Sequence, residues 1–219
     1  MDNMVLPPCL FGNIIYYRLL MQETCVIDIH EHFSKQTYRT RYDIYGANGL
    51  IALSVPIQRP HGVKLPIKDI SISYEEAWQN NHWRTLISAY KRSPFFEFYE
   101  LELKALYQTR YNYLLDFFEA AHQFLTQSLN LKPALHYTSG YVAPDTVGTD
   151  LRKLFKPSKI TWQKELFEPY WQVFQEKSGF LPNLSVLDLI FNEGPNAVNV
   201  LMATSVTPLI KANLNPLKP

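Results

Sequence analysis

The first 29 residues read as strand, helix, strand, and no other stretch constrains the fold as strongly. Met4, Val5 and Leu6 form a short apolar run closed at once by Pro7 and Pro8. From there Phe11, Ile14, Ile15 and Leu19 recur at helical spacing, with Asn13 as a helix-start residue. Residues 25–29 are rich in β-branched side chains, as strands are. Two strands joined by a helix lie parallel, and the crossover packs the helix onto their sheet. The predicted fold class is therefore α/β, a mostly parallel sheet with an antiparallel hairpin and flanking helices.

The hairpin is expected between residues 37–45 and 50–57. Asn48 and Gly49 are its expected turn, because a type I′ turn needs positive φ at both central positions. In its second strand Ile51, Leu53 and Val55 face the core, while Ala52 and Ser54 face away. Ile70, Ile72 and Tyr74 alternate with Ser71 and Ser73 as a further half-buried strand. A helix is predicted from Glu75 to about Arg92, stopped by Ser93 and Pro94. One long helix is predicted over 97–129, on the spacing of Leu103, Leu106, Tyr107, Tyr111, Leu114, Phe118 and Leu125. Residues 134–138 read as a strand, 141–156 as loop and short helix, and 160–162 as a last strand. A helical region over 186–203 is broken at Gly194 and Pro195, and the tail from Thr207 is expected to fray. Residues 1–219 are expected to form a single unit, with 134–203 its later half.

Hydrophobic residues make up 47% of the chain, enough for a packed core. Twenty-one basic against twenty acidic side chains leave a net charge of +1, which argues against bulk electrostatic binding of nucleic acid. Two cysteines, Cys9 and Cys25, imply no disulfide framework. No basic leader with an apolar stretch and no run of about 20 apolar residues is present. The expectation is a soluble, cytoplasmic protein with no membrane span.

The candidate chemistry gathers where the second strand ends. Asp28, His30 and His32 sit at i, i+2 and i+4, so a continued strand would point all three to one face, as weak metal-ligand candidates or a proton relay. Glu31 would point the other way, and a solvated strand end accounts for the same pattern. Open α/β sheets take ligands beyond the carboxyl ends of their strands, which favours a site of some kind here. Lys35, Gln36, Arg39 and Arg41 follow, with both guanidinium groups on one extended face. Such groups bind carboxylate or phosphate through paired hydrogen bonds, although a charged edge strand has the same composition. Further on, His82 lies on a helical stripe with Trp78, Leu86 and Tyr90, while Arg84 lies about 200° around the helix. His82 is either a core histidine or the acid–base group of this half. Ser139 and Gly140 form a small polar turn after a predicted strand. Glycine-rich phosphate loops, a G-x-S-x-G elbow and an H-E-x-x-H helix are all missing, and no cofactor is assigned.

In series, these segments resemble the WbqC-like family. The matching residues are Phe11-Gly12 with Tyr16-Tyr17, Lys35-Gln36 with Arg39 and Arg41, Gly46 to Gly49, and Leu53 to Pro56. Trp78, His82-Trp83-Arg84, Ala89-Tyr90, Ser93 to Phe96, Tyr137 with Ser139-Gly140, and Asn183 to Pro195 continue the series over nearly the whole chain. The chain departs from the family pattern at His30 to Phe33 and at Leu6 to Pro8.

The resemblance implies a bacterial protein tied to O-antigen or other surface-polysaccharide biosynthesis, with transfer of an amino acid such as glycine onto a sugar as one suggested role. The expected function is a transferase acting on an anionic small molecule, a sugar nucleotide or an activated acyl donor. Lys35, Gln36, Arg39 and Arg41 would hold the donor's anion, helped by Arg84. His82 or His32 would act as general base, with Glu31 a weaker choice, and Ser139, Asp188 and Asn192 would make polar contacts. The alternatives are a non-catalytic binding protein for sugar-nucleotide intermediates or biosynthetic partners, and a metal-dependent hydrolase using Asp28, His30 and His32.

Overall fold

The computed structural model describes residues 4–22, 24–58, 63–131, 135–146, 148–157 and 164–213. The βαβ opening forms as its sequence predicts. Strand β1 (Met4–Leu6) leads into helix α1 (Ile14–Leu20) and then strand β2 (Cys25–Ile27). Asn13 caps the helix, its Oδ1 accepting from the Tyr16 N–H at 3.0 Å, and so satisfies one of the donors a helix start leaves open. β1 pairs in parallel with β2, Leu6 opposite Ile27. Its other edge pairs in parallel with a two-residue strand, Thr149–Asp150, so β1 is the central strand of three. That last strand lies inside a segment expected to be loop and short helix. Two residues are too few for a periodicity to register.

A neighbouring two-stranded sheet is the expected hairpin, with β3 at Arg41–Gly46 and β4 at Gly49–Ser54. Leu53 and Val55 are buried, Ile51 is half-buried, and Ala52 and Ser54 are exposed, as their alternation requires. The turn differs from the type I′ expectation. Its central residues are Ala47 and Asn48, and the positive φ, +103°, falls on Gly49, where a missing Cβ removes the steric cost. The first strand also starts four residues late. Residues 37–40 form a turn instead, with the Thr37 hydroxyl donating to the Ser34 carbonyl at 2.9 Å.

Helix α2 (Trp78–Tyr90) ends where Ser93 and Pro94 require it. The long helix expected over 97–129 is two, α3 (Phe96–Gln108) and α4 (Leu114–Ser128). The break has a clear cause. Backbone groups of residues 109–113 pair with residues 70–74: Ile72 donates to Asn112 and Leu114 to Ile70, while the Tyr111 N–H donates to the Tyr74 hydroxyl. Asp116 then caps α4 from within, accepting from the Tyr113 N–H at 3.3 Å. The same pairing leaves residues 70–74 as isolated bridges, Ile57 to Ile72 and Ser71 to Tyr113, where a strand was expected.

Residues 136–138 extend the sheet by one bridge, Tyr137 beside Ile27. The strand expected at 160–162 lies outside the described residues. Beyond it come α5 (Gln175–Ser178), α6 (Val186–Glu193), α7 (Ala197–Ala203) and, where fraying was expected, the short helix α8 (Thr207–Ala212). Gly194 takes φ +50° at the predicted break, and a Cβ there would meet the Phe95 ring at 2.5 Å. With Thr149–Asp150 numbered β5, the fold is α/β. All three parallel strands point their carboxyl ends at one edge.

Candidate functional site

That edge holds the densest charge network among the described residues. Asp28 follows β2 directly and is fully buried. One of its oxygens accepts from the backbone N–H groups of His30 and Glu31, at 3.0 and 3.1 Å, and from the Thr138 hydroxyl at 3.0 Å. This turn, closed by an aspartate on its own backbone, ends the strand at Ile27. Asp28, His30 and His32 therefore do not share a strand face, which corrects the spacing argument for a metal triad. Asp28 is buried, His30 is half-buried and His32 is exposed. Among the described residues no three His, Cys, Asp or Glu side chains are grouped to hold a metal ion.

The other Asp28 oxygen accepts from Arg152 Nη1 at 2.5 Å. Arg152 also donates through Nε and Nη2 to the Asp150 carboxylate, at 3.0 and 2.7 Å, and through Nη1 to the Val142 carbonyl. Burial works against its charge, but Asp150 and Asp28 hold its pKa above the ordinary arginine value. Beside this triad lies a second pair. Arg39, only 3% exposed, makes a two-pronged bond to Glu31 at 2.6 and 2.7 Å. Burial pushes the Glu31 carboxyl up, with the Arg39 bonds pulling it back. Arg39 Nη1 is buried and has no hydrogen-bond partner.

Glu31, Arg39, Asp150 and Arg152 line a cleft of about 200 Å³, with Asp28 buried behind them. His32 stands at its rim, stacked on the Tyr141 ring at 6.0 Å. Ser34, Lys153 and Lys156 complete the polar wall. An adjoining hollow shares Tyr141 and is lined by Ser139, Val5 and Val26. The arrangement suits an anion held on the cationic wall, with an imidazole and a flat aromatic ring beside it.

Of the residues predicted from sequence, the cleft brings together Glu31, His32 and Arg39, and Ser139 lies next door. Lys35 and Gln36 are exposed on the preceding turn, where Gln36 takes φ +55°. Arg41 does not share a face with Arg39, because the turn over 37–40 intervenes; it donates to Asp43 at 2.8 Å. The structure places His82 elsewhere. It is buried in an aromatic cluster, its Nδ1 3.2 Å from the Tyr42 hydroxyl and its ring edge-on to Trp78. Burial lowers its pKa to about 4, a bond to the Ser54 backbone opposing. Arg84 is exposed on the opposite side of α2.

Asp188 and Asn192 belong to a different buried network. Asp188 accepts from the hydroxyls of Tyr90 and Tyr170, at 2.8 and 2.6 Å, and from Gln172 at 3.1 Å. Burial raises its pKa to about 6, with hydrogen bonds from Tyr170, Tyr90, Gln172 and Asn192 pulling the other way. Asn192 Nδ2 donates to the Asp188 carbonyl one turn back. Both sit inside the core on α6.

Sequence reasoning missed Tyr141, Asp150, Arg152, Lys153 and Lys156. The run Asp150, Arg152, Lys153 was a visible charge cluster, but only the pairing of β5 with β1 brings it to Asp28, 124 residues away in sequence.

A model of the WbqC-like protein family matches residues 8–157, more than half of the chain. Every cleft residue named above falls within that span, whereas Asp188, Asn192 and the 183–195 stretch fall outside it. No curated protein and no solved structure matches the chain.

Proposed function

The chain belongs to the WbqC-like protein family, and from that premise we propose that it is a transferase of surface-polysaccharide biosynthesis. It acts in the cytoplasm and moves an amino-acid or other acyl group from an activated, anionic donor onto a sugar. The supporting observation is the cleft at the sheet's carboxyl edge, where His32 stands beside a cationic wall formed around Arg39 and Arg152. No helix among the described residues is long and apolar enough to cross a membrane.

In this reading the acceptor's amine or hydroxyl attacks the donor's acyl carbon. His32 takes the acceptor proton, and the donor's anionic leaving group departs toward the cationic wall. Arg39 and Arg152 orient that anion, and the buried carboxylates keep both guanidinium groups fixed, since preorganised charge favours the transition state. Histidine suits the role of base because it is the commonest side chain for proton transfer near neutral pH. His82, buried and held neutral, has no part in it.

The test is mass spectrometry of sugar nucleotides and amino sugars incubated with the protein and a panel of activated acyl donors. A mass gain matching one acyl group is expected, falling by about 10²- to 10⁴-fold in His32→Ala. A gain unaffected by that substitution removes His32 from the mechanism. One observation favours a second reading, a non-catalytic binding protein for sugar-nucleotide intermediates: the carboxylates Glu31, Asp28 and Asp150 are all tied to arginines, so none of the three stands free to act as a general base. Binding of a sugar nucleotide without any mass gain favours that reading.

A further inference from the structure

The transferase reading asks for an anionic donor but leaves the anion open. Resting on that reading, we propose that the cleft is built for a diphosphate, carried by a donor whose planar base lies on Tyr141: a nucleoside diphosphate-linked molecule.

Arg39 is matched by Glu31, and Arg152 by Asp28 and Asp150. With those three carboxylates the two guanidinium groups carry no net positive charge, so the charge that draws in an anion comes from elsewhere on the wall. Lys153 and Lys156 differ. Both line the cleft, one exposed and one half-buried, and among the described residues neither has a carboxylate within ion-pair distance. Two ammonium groups on one cleft favour a ligand with two negative charges, which a diphosphate bridge supplies and a single carboxylate does not.

Arg39 adds a second, independent observation. The side chain lines the same cleft, and its Nη1 is a buried donor with no partner. Buried donors are almost always satisfied, so an orphan beside a cationic cleft points to an acceptor that arrives with a ligand. Phosphoryl oxygens are strong acceptors for guanidinium groups. The third observation concerns the rest of the ligand. Tyr141 is 58% exposed, with His32 stacked at 6.0 Å and the Arg152 guanidinium 6.0 Å from its centroid. Exposed aromatic rings beside a cationic groove are the usual platform for a base.

Calorimetric titration of the full chain with inorganic pyrophosphate, orthophosphate, acetate and uridine diphosphate tests this. Pyrophosphate is expected to bind more tightly than orthophosphate, and acetate not measurably below about 1 mM. Uridine diphosphate should bind about tenfold more tightly than pyrophosphate, from the stacked base. The double variant Lys153→Gln, Lys156→Gln should lose about tenfold or more toward pyrophosphate, with an unchanged melting temperature in the absence of ligand. Tyr141→Ala should bring uridine diphosphate down to the level of pyrophosphate while leaving pyrophosphate itself alone. Equal affinity in the double variant, or acetate binding as tightly as pyrophosphate, overturns the proposal. The two readings fail separately. Lysine-dependent pyrophosphate binding without acyl transfer overturns the transferase and supports the diphosphate site. Acyl transfer whose donor KM is unchanged in the lysine variant overturns the diphosphate site alone.

Discussion

At the scale of the residue, two buried titratable groups work in opposite directions across one pH window. His82 titrates at about 4 when folded against an ordinary 6.5, so the unfolded chain takes its proton first. The stability it contributes is complete above about 6.5 and is lost as pH falls through 4, roughly 3 kcal/mol in all. Asp188 titrates at about 6 against an ordinary 3.8. Its contribution is complete below 3.8 and is lost as pH rises through 6, again roughly 3 kcal/mol. Together they nearly cancel between pH 4 and 6.5. In urea unfolding over that range, His82→Gln should therefore tilt the chain toward greater stability in acid, and Asp188→Asn toward less. Parallel curves for both variants and the parent would refute the assignment. Asp28 gives a second prediction. Replacing it with Ala leaves the Arg152 guanidinium half-paired in the interior and should cost about 3–5 kcal/mol, read from the urea midpoint. A change below about 1 kcal/mol would mean that water reaches the pair.

At the scale of the element, the helices follow their sequence signals except where distant backbone competes. Residues 109–113 carry an apolar spacing that continues a helix, and the sequence offers no breaker. Their carbonyl and amide groups pair instead with residues 70–74, partners about forty residues upstream, and that non-local pairing splits the helix in two. Asp116→Ala removes the cap that starts the second half and should cost about 1 kcal/mol, with lost helix signal confined to α4. The break at Gly194 is the opposite case, legible because only glycine tolerates the conformation. Gly194→Ala imposes a positive φ on a Cβ and drives it into the Phe95 ring. A loss of about 2 kcal/mol or more is expected in thermal unfolding, since overpacking and backbone strain add. A neutral result would show that Phe95 can swing aside.

At the scale of the whole molecule, β1 decides where the cleft lies. Its place between β2 and β5 sets three carboxyl ends side by side, and the charges that follow them close into one network. The order strand, helix, strand was legible from the spacing of apolar residues, because a helix face and a half-buried strand each impose a period on their own sequence. So was the hairpin, and so were Glu31, His32 and Arg39 as polar residues just past a strand. The sequence by itself thus determined the α/β class and half of the cleft, the half contributed by one contiguous segment. Tertiary structure alone decided the rest. Arg152, Lys153, Lys156 and Tyr141 reach the cleft only through the pairing of a two-residue strand with β1. His82 and Asp188, which had the residue types of a site, were withdrawn into the core. Local spacing records which face of an element is buried. It does not record which distant charges will meet, because the strands that join them pair through backbone groups that every residue shares.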